Sequence, residues 1–164
     1  MNKLSLLRRS IGSYRQKNLD VMLSHLEVEQ THGAPKPMIV LHGILGNKSN
    51  LRGIVSQQAI RDRRWSFLVD MRNHYESDWH NDMNYRALSE DVIRFADERY
   101  IDTFTVMGHS MGGRTAMYVA CRYPDRVNGL IVIDTAPVDE SARSEEFNKD
   151  VISILKFITS YWKA

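Results

Sequence analysis

The residues of this chain best suited to chemistry lie in Gly108-His109-Ser110-Met111-Gly112, a G-x-S-x-G pattern. A serine hydroxyl keeps its proton at neutral pH. It acts as a nucleophile only with a base to take that proton and donors to hold the oxyanion that forms. Thr103–Met107 is a short apolar, β-branched run that reads as a buried strand. From Met111 the pattern turns helical and stops at Tyr123, before Pro124. Strand, sharp turn and helix is the setting that a nucleophile elbow requires. The apex residue of so tight a turn is strained. Gly108 and Gly112, two positions before and two after it, lie against each other and must lack bulk. The gain is an exposed Ser110 hydroxyl at the carboxyl edge of a sheet and the positive end of a helix.

The oxyanion donors are also readable. One is the backbone N–H of Met111, directly after the serine. The other is expected from His42-Gly43-Ile44-Leu45-Gly46, which follows the apolar run Met38–Leu41. A strand entering His-Gly-x-x-Gly gives a loop whose backbone approaches a ligand closely, and Ile44 is the expected donor. His42 has no partners at metal-ligand spacing and is read as shaping this loop with Gly43 and Gly46. Gly108, His109 and Gly112 support the elbow in the same sense. No metal or cofactor is expected.

An acid that orients the base should follow the serine at the end of a later strand. Asp134 fits, closing the run Gly129–Ile133; a residue that only caps a strand-end turn fits as well. Asp139 and Glu140 are outside candidates. Asp70 precedes the serine and is read as loop-shaping. The base is the missing part. The order should be serine, acid, histidine, yet no histidine stands between Ser110 and Ala164. His109 adjoins the serine, and neighbours on a sharp turn point their side chains apart. His74 and His80 read as loop residues.

The elements that must hold these groups follow from periodicity. Strands are expected near 38–41, 65–70, 103–107 and 129–134, the last a buried one. Residues 19–29 loosely alternate and suggest one or two edge strands. Helices are expected near 51–60, capped by Asn50, and near 85–99, 111–122 and 144–158. In the second of these, Tyr85, Leu88, Val92, Phe95 and Ala96 form the inner face and the charges between them face out. Alternating strands and helices imply an α/β class: a doubly wound, mostly parallel sheet with helices on both faces. His32–Pro37 is a loop by composition, and Arg61-Asp62-Arg63-Arg64 a solvated turn rather than a phosphate site.

A length of 164 residues favours one domain. With 43% apolar and 26% charged residues and a formal net charge of +2, nothing calls for a nucleic-acid partner. No apolar run is long enough to span a membrane. Five of the 22 basic residues precede Asp20 with no acid among them, leaving 17 against 20 acids in the rest. Residues 1–18 therefore read as a mitochondrial presequence or as a plain basic, disordered tail. Cys121 is the only cysteine, so no intrachain disulfide forms, and it is read as a packed small residue.

These motifs, with Leu68-Val69-Asp70-Met71-Arg72-Asn73-His74 and Val132-Ile133-Asp134-Thr135-Ala136-Pro137-Val138, resemble the α/β-hydrolase superfamily. More narrowly they resemble its abhydrolase domain-containing protein 11-like branch and small bacterial esterases, over about Met38 to Ile158. The resemblance implies a serine hydrolase of small acyl esters or thioesters, without a cofactor, and Asp134 as the proposed triad acid. In eukaryotes it implies a mitochondrial setting. It also makes residues 19–164 the N-terminal part of such a domain, stopping after its sixth strand and the following helix. Tyr75 stands where relatives carry glycine after Asn-His. Two functions are expected from this: an ester or thioester hydrolase using Ser110, or a non-catalytic fragment lacking the histidine, with at most a binding role.

Overall fold

A computed structural model describes residues 21–137. The basic segment 1–18 and the helix expected near 144–158 lie outside the described residues. Five strands form one sheet: β1 (His25–Val28), β2 (Pro37–Leu41), β3 (Trp65–Val69), β4 (Phe104–His109) and β5 (Val127–Ile133). Their order is β1-β3-β2-β4-β5. β2, β3, β4 and β5 pair in parallel, as the alternation of strands and helices requires. β1 runs antiparallel against β3, so residues 19–29 supply one edge strand.

β2 shows why the centre of the sheet reads as a continuous apolar run. Ile39 and Leu41 enter one core with Phe67, Val69, Val92 and Phe95. Met38 and Val40 enter the opposite core with Leu51, Val55, Leu68 and Met107. Successive side chains point to opposite faces, so a strand buried on both must be apolar at every position. The first core is closed by α3 (Tyr85–Glu98) and α4 (Met111–Arg122), the second by the short α1 (Arg52–Val55).

Several expectations are corrected here. The helix expected over 51–60 is two single turns, α1 and α2 (Gln58–Arg61), separated by Gln57 in an extended conformation. Gly53 and β-branched Ile54 and Val55 are weak helix formers, and so short a segment does not hold a helix unaided. Asn50 does not cap it; its side-chain oxygen accepts the Asn47 N–H at 2.5 Å and closes the preceding turn. In α3, Asn84 is the cap, accepting the Ala87 N–H at 2.9 Å. Not all its charges face out: Asp91 is buried. β5 is not a buried strand, because it is the sheet's edge among the described residues and exposes Leu130 and Ile131. Cys121 is exposed rather than packed. Among the described residues no helix is long and apolar enough to cross a membrane.

Candidate active site

β4 delivers the chain to Ser110 and α4 carries it away. Ser110 sits at φ 52°, ψ −115°, in backbone space that non-glycine residues rarely enter. Its own N–H donates to the Ile133 carbonyl at 3.1 Å, which ties the turn to the end of β5. The glycines answer to space. A Cβ on Gly108 would lie 2.1 Å from the Gly112 carbonyl oxygen, and one on Gly112 would lie 2.4 Å from that of Leu41. Either would push the elbow open.

The loop after β2 is anchored by His42, which is fully buried. Its Nε2 accepts the Met71 N–H at 2.9 Å, so the proton sits on Nδ1, which donates to the Gly43 carbonyl at 2.7 Å. Burial pushes the imidazole down to about 4, against a smaller upward pull from the Gly43 carbonyl. His42 is thus neutral at physiological pH and bridges the loop after β2 to Met71. The His74 ring meets it edge-on at 4.9 Å. Nδ1 of His74 donates to the Arg72 carbonyl at 2.8 Å, and its Nε2 accepts the Leu45 N–H at 3.3 Å.

Ile44, Ser110 and Met111 line one cavity of about 320 Å³. Met83, Tyr85, Leu88 and Arg114 help to wall it. Met111 is the first residue of α4, where N–H groups have no intrahelical acceptor. Among the described residues, neither its N–H nor that of Ile44 donates to another backbone group.

Asp134 follows β5 at φ 50° with its side chain 87% exposed. Its carboxylate lies 3.7 Å from Nε2 of His109. The His109 ring therefore lies on the Asp134 side of the elbow. The ring also packs beside Gly43, where an added Cβ would come within 2.9 Å of Nδ1. Asp70, after β3, is fully buried. Its oxygens accept the Lys48 N–H at 2.6 Å and the Lys48 ammonium at 2.8 Å. Burial alone would push that ammonium down; its bonds to Asp70 and Glu76 outweigh this and hold it above its ordinary value. Tyr75 adopts φ 46°, the left-handed conformation that glycine takes most easily, and its ring lies 5.3 Å beneath the Lys48 ammonium.

Sequence reasoning missed the brace behind the cavity. Arg72 donates to both oxygens of Asp91 at 2.5 and 2.7 Å and to the Asp82 carbonyl at 2.7 Å. It fastens the loop after β3 to α3, just before the residues that wall the cavity. Asp91 breaks the apolar face of α3, and that interruption was the available signal. Arg114, on the cavity wall, was marked only by its place one turn after the serine.

A family model described as "alpha/beta hydrolase fold" matches residues 36–160. The chain belongs to the α/β-hydrolase fold family. The esterase YbfF of Escherichia coli is similar to this α/β-hydrolase, 37% identical over 110 residues, covering 67% of the chain and 42% of that protein. The sn-1-specific diacylglycerol lipase ABHD11 of Mus musculus is 37% identical over 131 residues, covering 79% and 43%. A solved marine microorganism esterase superposes with a TM-score of 0.70 at 32% identity, over 85% of this chain and 51% of that one. This α/β-hydrolase spans about two fifths of the length of the curated relatives it matches.

Proposed function

We propose that Ser110 is the nucleophile of a serine hydrolase that cleaves carboxylic esters or thioesters. Its Oγ bonds to the carbonyl carbon and gives up its proton to a base. The carbonyl oxygen becomes an oxyanion held by the N–H groups of Ile44 and Met111. Collapse of that intermediate expels the alcohol or thiol and leaves an acyl-serine, which water cleaves. Asp134 is the acid that orients the base. The observation that carries this reading is the strained backbone of Ser110, set beside Met111 and Ile44 on one cavity.

A second reading, a binding chain without turnover, is favoured by the histidines. Both ring nitrogens of His42 and of His74 are engaged, and His109 faces Asp134. His42 and His74 thus have no free ring nitrogen with which to take the Ser110 proton. In serine proteases, loss of the base costs about six orders of magnitude in turnover. The 164-residue chain by itself should therefore hydrolyse p-nitrophenyl acetate weakly. Added imidazole should restore acetylation of Ser110, read by mass spectrometry, and Ser110→Ala should abolish it. Robust Ser110-dependent turnover without imidazole would sink the missing-base account. No acetylation even with imidazole would sink the nucleophile and leave the binding chain.

Residues 1–18 form a presequence in this proposal, from their basic, acid-free composition. A fluorescent reporter carrying residues 1–30 should enter mitochondria. A diffuse cytosolic signal would leave a plain basic tail.

A further inference from the structure

We propose that Arg114 makes this cavity select esters that also carry a carboxylate, such as half-esters of short dicarboxylic acids. The inference rests on Ser110 being the acylated residue. Arg114 stands one helical turn beyond it, with its N–H donating to the Ser110 carbonyl at 3.1 Å. Residues four apart share a helix face, with Cβ atoms about 5–6 Å apart. Both line the same cavity of about 320 Å³.

The rest of the lining sharpens what such a ligand must look like. Ile44, Met83, Leu88 and Met111 are apolar, and Asn84 spends its side-chain oxygen on the Ala87 N–H. Among the described residues that line it, none is a carboxylate and Arg114 is the one cation. Arg114 already has an interaction partner in the fold. A guanidinium has five N–H donors, so it can keep that partner and still offer donors to the cavity. Its planar fork matches a carboxylate, and apolar walls strengthen a charged hydrogen bond. An acyl chain of two or three methylenes spans about one helical turn between the carbonyl at Ser110 and an anion at Arg114.

The test is a binding titration of the 164-residue chain, followed by NMR, with monoethyl glutarate against its neutral carboxamide analogue. The half-ester should bind about tenfold tighter, the scale of one charged hydrogen bond. Arg114→Met should bring the two ligands to parity, while Arg114→Lys keeps part of the preference. If Arg114→Met fails to fold by circular dichroism, a several-fold loss of preference in Arg114→Lys carries the same conclusion. Equal binding by the unaltered chain, or a preference that survives either substitution in full, overturns the proposal. Propyl phosphate binding tenfold tighter than the half-ester would overturn the carboxylate assignment. Imidazole-assisted acetylation of Ser110 keeps the two readings apart. Acetylation without any carboxylate preference overturns the subsite alone. An Arg114-dependent preference in a chain whose Ser110 never acetylates overturns the nucleophile, and with it the assignment of the ligand as an ester.

Discussion

Asp70 and Asp134 each follow the last residue of a parallel strand, β3 in one case and β5 in the other. Asp70 is 0% exposed and both its oxygens are engaged by Lys48. Asp134 is 87% exposed, with the His109 ring 3.7 Å away. The strands that carry them differ in the same direction. β3 lies between β1 and β2, whereas β5 has β4 on one side only among the described residues. A strand-end carboxylate enclosed by neighbours becomes a structural tie. One at the edge of the described strands keeps its oxygens exposed. Their near-identical sequence settings, an apolar run ending in aspartate, conceal that difference.

The comparison breaks most visibly by removing each acid. Asp70→Ala removes the buried carboxylate that takes the Lys48 ammonium and backbone N–H, leaving Glu76 as the ammonium's one acid, and should cost about 3–5 kcal/mol of unfolding free energy. Asp134→Asn, which removes the charge but still tolerates the left-handed backbone there, should stay within about 0.5 kcal/mol, as exposed sites do. Urea unfolding of both variants checks this, and an equal cost would erase the distinction. The strands themselves give the next contrast. Leu68, in β3, is 1% exposed and Leu130, in β5, is 44% exposed. Leu68→Ala should cost about 2–5 kcal/mol, and Leu130→Ala less than about 1 kcal/mol.

The enclosed end should also be the pH-sensitive one. His42 bonds to Met71, directly after Asp70, and stays neutral in the fold down to about pH 4. Unfolded, a histidine takes up its proton near pH 6.5, roughly its unperturbed value. Between those values the unfolded chain binds more protons. The His42 contribution is therefore full above pH 6.5 and is lost as pH falls towards 4, by about 3 kcal/mol. Urea midpoints against pH should show this slope, and His42→Asn should flatten it. The smallest effect sits at the open end. Raising sodium chloride from 0.05 to 0.5 M, roughly a threefold shorter screening length, should leave the stability difference between the unaltered chain and Asp134→Asn unchanged within about 0.3 kcal/mol. A larger shift would show that His109 and Asp134 form a tie after all.

The elbow was legible because its causes are local. Gly108 and Gly112 flank a serine that only a strained turn can present, and a β-branched run and a helical run adjoin it. The parallel sheet followed from alternating strand and helix periods, and the positions of β2, β3, β4, α3 and α4 came out as read. Asp91 was misplaced because periodicity assigns every charge to solvent, even one that interrupts the apolar face. Its burial needs Arg72, 19 residues away, to bring a matching fork. The 51–60 helix failed because spacing cannot register how weakly Gly53, Ile54 and Val55 hold a turn once Leu51 and Val55 are packed.

By itself the sequence determined where β2, β3, β4, α3 and α4 lie, and where a strained serine must stand. Propensity, period and the space left by glycine are properties of neighbours along the chain. Only the tertiary structure decided which strand is an edge, that Asp70 is sealed while Asp134 stays open, that Arg114 shares a cavity with Ser110, and that His42 and His74 are engaged. Those depend on strand order and on side chains from distant segments meeting in space, which no local pattern encodes.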